Sequence, residues 1–508
     1  MKNRSKKLHR WPGLVMAFFF IYYGVSGILL NHRNTISSVD VSRKLLPSSF
    51  RYNHWNNAAL KGDLRVNKDS ILVYGNIGVW VTDHEHRNYR PINNGFPDGV
   101  DNRKVNDILR LPNGNLYAAT RSGLYCWDVK RRKWDKFKMS TDAPRFVGLT
   151  HVGDTLYAAN RSNLYRAFSP VIGSSFEEIV LPAPVGYLKK VSLFRTVWQL
   201  HSGEIFGLPG KLFIDFLALI LMLLSVTGIF YLFLPKWIRK KRQKGKKLNR
   251  SVGLFKWSVR KHHKVGIWSF IFVAFLTFTG MFLRPPLILA IASGEVSPIP
   301  YSHLDKKNSW DDKLRDIQYD RLRDRMMVAT SDGIYRVDLW DAPLHKFAIQ
   351  PPVSVMGITV FEPQWDGSFL IGSFQGLYRW NPEIFQILDA MTGEPYKDSG
   401  SGRPVGSHVV TGLIHGETGE RFVVDYFKGV RESNLGHRFP AMPSSVKEVS
   451  PMSLWSVALE VHTGRIFRDL LGDFYILIVP LSGIVGLLVV FSGLTLWLRR
   501  YRKRKKNA

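Results

Sequence analysis

Four apolar stretches, each long enough to cross a lipid bilayer, constrain the fold of this chain more than any other feature of its sequence. A helix needs about 20 predominantly apolar residues to span the hydrocarbon core. The mean hydropathy of -0.09 conceals these stretches because two long polar segments lower the average. The sequence therefore predicts a membrane protein with four spanning helices, at about Trp11 to Leu30, Leu212 to Leu234, Val265 to Ala292 and Phe474 to Leu498.

Basic residues beside these stretches account for the formal net charge of +31 and predict the topology. They crowd the leader before the first span, the stretch from Lys236 to Lys264 and the tail from Arg499 to Lys506. Lys and Arg concentrate on the cytoplasmic side of membrane proteins, so we expect both termini and the middle loop in the cytoplasm. Topology and contact with anionic lipid explain the charge, and nucleic acid is not an expected partner.

The spans divide the chain into nine predicted segments. The first span follows a basic leader, but no small-residue cleavage site comes after its long apolar core, so we interpret it as a retained signal anchor. The lone Cys126 excludes an intrachain disulfide, and no C-x-x-C-H motif for covalent haem occurs. The segments are a cytoplasmic leader (1–10), a transmembrane helix (11–31), the first half of an exported β domain (32–206), a transmembrane helix (207–235), a basic cytoplasmic loop (236–264), a transmembrane helix (265–292), the second half of the β domain (293–469), a transmembrane helix (470–498) and a basic tail (499–508).

The chain contains two copies of one unit, in which a span, an exported segment and a second span follow one another. The first and third spans share the spacing of one histidine and two glycines, and the second and fourth share a His-Ser/Thr-Gly turn followed by a small-residue pair. Equivalent residues are therefore expected on the same side of the membrane. They are His9, Gly13 and Ser26-Gly27 with His262, Gly266 and Thr279-Gly280, and His201-Ser202-Gly203 and Thr227-Gly228 with His462-Thr463-Gly464 and Ser492-Gly493.

The exported segments contain a shorter repeat, a tight turn between two strand-like runs, at a spacing of about 40 residues that suits one four-stranded propeller blade. These repeats resemble the blades of ligand-sensing propellers on two-component regulators. Because a three-bladed fragment would leave its sheet edges open, we expect both segments to form one all-β propeller of about six blades. Two separate half-propellers or small sheets are the alternative. The six copies begin at Asn76, Thr120, Asn160, Thr330, Ser373 and Asp425.

Six histidines lie at the ends of the predicted spans. Anchoring at the membrane interface is the ordinary explanation for any one of them. Two imidazoles that face each other in a helix bundle, however, form a site for haem iron, whereas copper or zinc requires further ligands that are not seen near the spans. On the cytoplasmic side these histidines are His9, His262 and His263, and on the exported side His32, His201 and His462.

Several motifs are similar to those of the PepSY-associated transmembrane helix family, although no PepSY module is recognised in the exported segments. The family includes bacterial inner-membrane ferric-siderophore reductases with four spans and b-type haems. The resemblance implies the inner membrane as location and two haem b groups as cofactors. The motifs are Leu8-His9-Arg10-Trp11-Pro12-Gly13, Ser26-Gly27-Ile28-Leu29-Leu30-Asn31-His32, and Leu200-His201-Ser202-Gly203 with Ser225-Val226-Thr227-Gly228.

The same resemblance makes His9, His32, His201, His262 and His462 candidate haem ligands, with His263 as a substitute for His262. Duplication symmetry pairs His9 with His262 on the cytoplasmic side and His201 with His462 on the exported side. His32 competes for the second site.

The leading functional hypothesis is an oxidoreductase that passes electrons to an exported acceptor such as siderophore-bound Fe(III). Outer-sphere electron transfer requires no catalytic acid or base on the protein. No nucleotide-binding fingerprint is present, so a quinol or a separate reductase is the expected donor. The rival hypothesis is a non-enzymatic sensor or accessory protein whose propeller binds a ligand or partner. A transporter is a third possibility, which the four spans disfavour because they offer little path for a substrate.

Overall fold

The structure is a computed structural model that describes residues 2–139, 141, 144–338, 340–354, 356–397 and 406–506. It divides into two compact units, each assembled from separate parts of the chain. The first, called the membrane unit here, comprises Met1–Ile36, Lys189–Asp305 and Leu454–Ala508. The second, called the β unit, comprises Ser37–Leu188 and Lys306–Ser453.

The described residues form long apolar helices interrupted by short ones. All but α7 belong to the membrane unit. The helices are α1 (Lys2–Asn31), α2 (Arg33–Ile36), α3 (Leu193–Ser202), α4 (Gly207–Gln243), α5 (Asn249–Trp268), α6 (Phe270–Met281), α7 (Ser444–Glu448), α8 (Leu454–His462), α9 (Arg468–Leu471) and α10 (Ile478–Lys506).

Three of these helices, α1, α4 and α10, are each long and apolar enough to cross a membrane. Helices α5 and α6 meet the same criterion only when they are taken together. The pair bends by 69° at the break between Trp268 and Phe270. The predicted span from Val265 to Ala292 therefore contains the bend, and two helices contribute to it. The Ser269 hydroxyl donates to the carbonyl of Val265, a bond that bends helices.

The ends of the spans also differ from the predicted limits. Helix α4 continues to Gln243 and α5 begins at Asn249, so most of the basic loop is helical. At its other end the third span stops at Met281 instead of Ala292. The consecutive Pro285 and Pro286 follow, and proline lacks the N–H that a continuing helix needs.

Helices of the two repeats interleave in the membrane unit. Helix α1 packs against α4 and α10, while α4 also packs against α5, and α10 against α6. The short helices α3 and α8 are followed by turns at Gly203 and Gly464, whose φ values of 77° and 74° are left-handed. Glycine adopts this conformation without strain, so the chain can turn sharply into the next span. Each histidine that precedes these turns is thereby placed at the end of a short helix.

The β unit contains six antiparallel sheets in which the strands follow chain order. Five have four strands and the sixth has three among the described residues. Sheet 1 is β2 (Gly62–Arg65), β3 (Ile71–Gly75), β4 (Gly78–Thr82) and β5 (Tyr89–Pro91); sheet 2 is β6 (Val105–Arg110), β7 (Leu116–Thr120), β8 (Leu124–Asp128) and β9 (Lys133–Lys136); sheet 3 is β10 (Phe146–Val152), β11 (Thr155–Asn160), β12 (Leu164–Phe168) and β13 (Glu177–Ile179).

The second long segment between spans repeats this organisation. Two further pairs of strands, β1 (Asp40–Val41) with β27 (Met452–Ser453) and β14 (Val191–Ser192) with β15 (Glu295–Val296), join distant parts of the chain. Sheet 4 is β16 (Leu314–Asp320), β17 (Arg325–Thr330), β18 (Gly333–Val337) and β19 (His345–Lys346); sheet 5 is β20 (Ile358–Pro363), β21 (Phe369–Ser373), β22 (Gly376–Asn381) and β23 (Gln386–Asp389); sheet 6 is β24 (Val410–His415), β25 (Arg421–Asp425) and β26 (Gly429–Val430).

Each repeated turn of the sequence joins the second strand of a sheet to the third. At two of them, Thr120 and Thr330, the hydroxyl donates to the carbonyl of the glycine three residues later, at 2.8 Å. The recurring sequence pattern therefore corresponds to one turn per sheet. The predicted combination of apolar helices with an antiparallel β domain is confirmed.

Apolar cores join sheets from the two long segments between spans. Sheets 3 and 4 share a core that includes Leu164 and Val328. Sheets 1 and 6 share another, in which Val73 and Val424 are fully buried. The β unit is therefore one compact unit with two inter-segment cores, because these apolar faces leave water together.

Candidate functional site

The first of two histidine pairs in the membrane unit joins α1 to α5. The imidazoles of His9 and His262 lie with their ring centroids 6.1 Å apart. Nδ1 of His9 is 3.0 Å from the carbonyl oxygen of Val489 and 3.2 Å from the hydroxyl of Ser492. Helix α10 therefore holds the His9 ring.

The partner ring is held in the same way by α4. Nδ1 of His262 is 3.1 Å from both the carbonyl oxygen of Leu224 and the hydroxyl of Thr227. A carbonyl can only accept, so Nδ1 carries the proton in both rings. This leaves Nε2 as the unprotonated nitrogen of each neutral imidazole.

The second pair joins the short helices α3 and α8. The rings of His201 and His462 have centroids 6.2 Å apart. Nδ1 of His201 is 3.2 Å from both the Leu276 carbonyl and the Thr279 hydroxyl on α6. Nδ1 of His462 is 2.9 Å from the hydroxyl of Ser26 on α1. All four rings thus contact a hydroxyl on a neighbouring spanning helix.

A glycine lies beneath each of the four rings, directly after the serine or threonine that bonds it. A Cβ atom on Gly280 would come within 2.7 Å of Cε1 of His201. The corresponding distances are 3.0 Å from Gly493 to His9 and 3.4 Å from Gly27 to His462 and from Gly228 to His262. The Ser/Thr-Gly pairs, which the sequence shows only as marks of duplication, therefore provide both a hydroxyl and the space for a ring.

The ring spacing of both pairs is compatible with two imidazoles bound to one metal ion. Two metal–imidazole bonds of about 2.0 Å, with about 1 Å from each nitrogen to its ring centre, place the two centroids about 6 Å apart. Across the described part of the chain, Nε2 of none of these four histidines has a hydrogen-bond partner. Nδ1 bonds that fix the tautomer are typical of histidine ligands to metals.

The other two candidate histidines have different partners. Nε2 of His32 is 2.6 Å from a carboxylate oxygen of Asp215, whose other oxygen accepts from Asn31 at 2.9 Å. His263 adjoins His262, but its Nδ1 lies 2.7 Å from the carbonyl of Val259 in its own helix and its Nε2 contacts Arg500. The structure thus brings together the symmetric pairs and gives these two histidines other contacts.

The two pairs lie far apart along α1. His9 is on this helix, and Ser26, which bonds His462, lies 17 residues later. At a rise of 1.5 Å per residue this separation is about 25 Å. Stacked rings occupy part of the interval: Phe19 and Tyr23 have centroids 6.0 Å apart, and Tyr23 meets His462 edge-on at 5.4 Å. The pairs therefore occupy opposite ends of the helix bundle.

The β unit has a cavity of about 690 Å³ that the sequence did not predict. The first strand of each of the six sheets contributes to its lining. His415 crosses one side, with Nδ1 2.9 Å from Asp63 and Nε2 3.0 Å from Glu362. Burial opposes its charge, but these carboxylates raise the pKa of His415 to about 10. The imidazolium thus ties sheet 6 to sheets 1 and 5.

Buried titratable groups also line this cavity. Nζ of Lys61 donates to the side-chain oxygen of Asn106 at 2.7 Å, and burial lowers the pKa of this lysine to about 7. Burial also raises the pKa of Asp107 to about 6, and it raises that of Asp316, on which the Asp107 charge acts in the same direction. Loss of water thus favours the neutral forms of these groups.

Comparison with known proteins gives distant structural likenesses. The sequence has no match among curated proteins. The extracellular domain of the putative hybrid two component system BT4673 from B. thetaiotaomicron is 11% identical, with a TM-score of 0.34, over 73% of this chain and 32% of that one. PorZ of Porphyromonas gingivalis, a surface component of the type-IX secretion system, is 10% identical with a TM-score of 0.31, over 74% and 31%. This chain thus spans about a third of the length of these proteins.

The family comparison covers nearly the whole chain. The model of the PepSY-associated TM region matches residues 6–500, an interval that contains all four paired histidines and their Ser/Thr-Gly partners. The protein therefore belongs to the PepSY-associated TM region family of membrane proteins.

Proposed function

We propose that the membrane unit is a b-type haem oxidoreductase that passes electrons across the bacterial inner membrane to an exported acceptor, with siderophore-bound Fe(III) as the leading candidate. The observation that carries this proposal is the pair of matched His–His spacings, 6.1 and 6.2 Å. One such pair would fit many purposes, but two at opposite ends of one bundle suit a path for electrons across a membrane.

The residues of this chain would hold and orient two haem groups. His9 and His262 would ligate one, and His201 and His462 the other. A bound b-type haem supplies an iron centre that accepts and releases one electron. The protein keeps each imidazole neutral and fixed through neutral hydrogen-bond acceptors, which raise the basicity of a ligating histidine. The four glycines leave the rings room to adopt this orientation.

Basic flanks support the proposed direction. His9 and His262 lie in the parts of α1 and α5 that are rich in Lys and Arg, and we place that end in the cytoplasm. The second pair then faces the exported side. A quinol or a separate reductase would supply electrons, and reduction to Fe(II) would weaken the hold of hard siderophore oxygens on the metal.

The test is the visible spectrum of the full-length protein, purified in detergent from haem-replete cells. We expect a Soret band, α and β bands that appear on reduction, and about two haem groups per chain by the pyridine haemochrome assay. The variant His345→Ala, which changes an exposed histidine on β19, is the matched control and should retain both groups. A colourless wild-type protein would refute the proposal.

We also propose that the six sheets close into one six-bladed propeller. The support is the cavity lined by the first strand of every sheet and the core shared by sheets 1 and 6. In a Cys126→Ala background, Asp63→Cys with His415→Cys should form a disulfide, since these side chains are in contact. The pair Asp63→Cys with His345→Cys is the control, and failure of the first pair to crosslink would favour an open arrangement.

The cavity is the observation that favours the second candidate function, a sensor or accessory protein that binds a ligand in its exported part. The two functions differ in one measurement. A sensor does not require haem. A haem-free protein whose melting temperature rises when a small molecule binds its β unit would therefore support the sensor.

A further inference from the structure

Two arginines break the symmetry between the halves of the membrane unit. Arg284 follows Gly280 by four residues, and the equivalent position after Gly27 is Asn31. Arg465 follows Gly464 directly, and the equivalent residue after Gly203 is Glu204. The second half therefore has two guanidinium groups where the first has an amide and a carboxylate.

In the first half, the charged side chains near the corresponding positions have partners. Asp215 accepts from Asn31 and His32. Lys211 lies 3.6 Å from Glu204, the residue equivalent to Arg465. At these positions the first half therefore places Lys211 beside an acidic group and gives Asp215 two hydrogen-bond donors.

In the second half one carboxylate serves both arginines. Arg465 donates from Nη2 to Glu460 at 2.6 Å, and the Glu460 side chain is only 8% exposed. Arg284 bonds to the side chain of Tyr475. It also lies near Arg465, which repels it, and near Glu460, which attracts it. Nε of Arg284 and Nε of Arg465 are both buried without a hydrogen-bond partner in the described structure. The cluster thus has one positive charge more than its carboxylate neutralises.

An uncompensated guanidinium is costly at the edge of a membrane, where little water can solvate it. A carboxylate relieves this cost best, because its two oxygens match the fork of N–H donors on arginine. The position of the cluster adds a second constraint. Arg465 is three residues from His462, and Arg284 follows the glycine beneath His201 by four residues.

We propose that Arg284 and Arg465 form a carboxylate-binding site beside the His201–His462 pair. The carboxylate belongs either to the edge of a tetrapyrrole held by this pair or to a mobile acceptor such as a ferric carboxylate complex. A carboxylate that belongs to a tetrapyrrole requires the proposed function to be correct. A carboxylate that belongs to a mobile acceptor does not. Glu460 sets the affinity because it competes for Arg465.

The test uses the full-length protein with Arg284→Gln, Arg465→Gln and Glu460→Gln. Lys211→Gln is the matched control, since it removes a basic group from the other half. Three properties are measured for each variant. They are citrate binding by calorimetry, haem transfer to apomyoglobin and the midpoint potential of each haem. The calorimetric measurement does not require haem, so a haem-free protein would refute the proposed function and still test this site.

If the carboxylate belongs to a mobile acceptor, wild-type protein should bind citrate. Each arginine variant should then weaken citrate binding about tenfold and leave haem transfer unchanged. Glu460→Gln should strengthen citrate binding, an effect that misfolding cannot imitate. A tetrapyrrole carboxylate predicts instead about tenfold faster loss of one haem and a lower potential for it, because a positive charge that favours the reduced state is gone.

The inference is overturned if the arginine variants match Lys211→Gln in citrate binding, haem transfer and potential. It is also overturned if Glu460→Gln weakens citrate binding as much as the arginine variants do, since the carboxylate would then be a ligand-binding group and not a competitor.

Discussion

Histidine serves opposite electrostatic purposes in the two units. In the membrane unit, Nδ1 of each of the four paired imidazoles bonds to carbonyl or hydroxyl oxygens, which are neutral. In the β unit His415 lies between two carboxylates, which favour the imidazolium. Neutral acceptors leave Nε2 with a lone pair for a metal, whereas carboxylates make the ring a cation that cannot ligate. The partners of both ring nitrogens together therefore indicate what each histidine does.

His32 tests this distinction within the membrane unit. It was a candidate ligand because it ends the first span, yet its partner is the carboxylate of Asp215. By its contacts it resembles His415 more than the four paired histidines. We therefore infer that His32 bonds to Asp215 and is not a haem ligand.

The largest expected effect comes from removing a paired ring. Alanine at His9 or His262 should abolish one haem component, and alanine at His201 or His462 the other, so that haem content falls by about half in each case. His32→Ala should leave both components in place, and a loss of haem from that variant would break the distinction drawn above. Haem content and low-temperature α-band spectra provide the measurement.

The next effect comes from filling the space beneath a ring. In Gly280→Ala the new methyl group would lie 2.7 Å from the His201 ring, an overlap that costs about 1–3 kcal/mol. Gly228→Ala, at 3.4 Å from His262, should disturb its site less. Gly253→Ala has nothing within 4 Å and is the control. After dialysis, haem occupancy should be lowest in Gly280→Ala, higher in Gly228→Ala and highest in Gly253→Ala. Equal occupancy in all three would contradict the proposed role of the glycines.

A smaller effect concerns pH and the β unit. Because the folded pKa of His415 is raised to about 10, its ion pairs stabilise the fold fully below the unfolded value near 6.5. This contribution disappears as pH rises through about 10. His415→Gln should therefore lower the melting temperature at pH 6, by the equivalent of about 1 kcal/mol or less for a half-buried pair, and have little effect at pH 10.5. Thermal unfolding of full-length protein, with His345→Gln as control, measures the difference. A loss of stability that does not vary with pH would indicate a packing role instead.

The smallest effect concerns a single hydroxyl. Thr227→Ala removes one of two acceptors from Nδ1 of His262 and leaves the Leu224 carbonyl in place. A hydrogen bond of about 1 kcal/mol corresponds to about 40 mV for one electron. We expect the potential of that haem to rise by no more than this, since the imidazole becomes a weaker donor. A redox titration measures the shift, and a fall in potential would contradict the assignment.

Several parts of this architecture follow from the sequence alone. Apolar stretches of bilayer length predict the spans because lipid leaves the backbone few alternatives to a helix. The repeated turn motif predicts one turn per sheet because glycine and threonine act locally. Duplication symmetry also pairs the histidines, because equivalent residues on equivalent helices must lie on the same side.

Other parts depend on contacts between distant residues. No local signal marks the partner of Asp215, or the bend at Ser269, as clearly as the pattern that marks a span. The Ser/Thr-Gly pairs are visible in the sequence, but their purpose appears only when a ring from another helix lies on them. The excess of positive charge around Arg465 likewise requires knowing that Glu460 is its partner and that Arg284 lies close by.

The sequence by itself determined the family, the apolar helices and the candidate histidines, since hydropathy, spacing and motif are properties of the chain read in order. The tertiary structure decided which imidazoles face each other, which oxygen holds each Nδ1 and which charges lack a partner. Those properties depend on distances of a few ångströms between residues hundreds of positions apart, such as His9 and Ser492. Electrostatic and ligand interactions fall off steeply at that scale, so only the packed helices determine them.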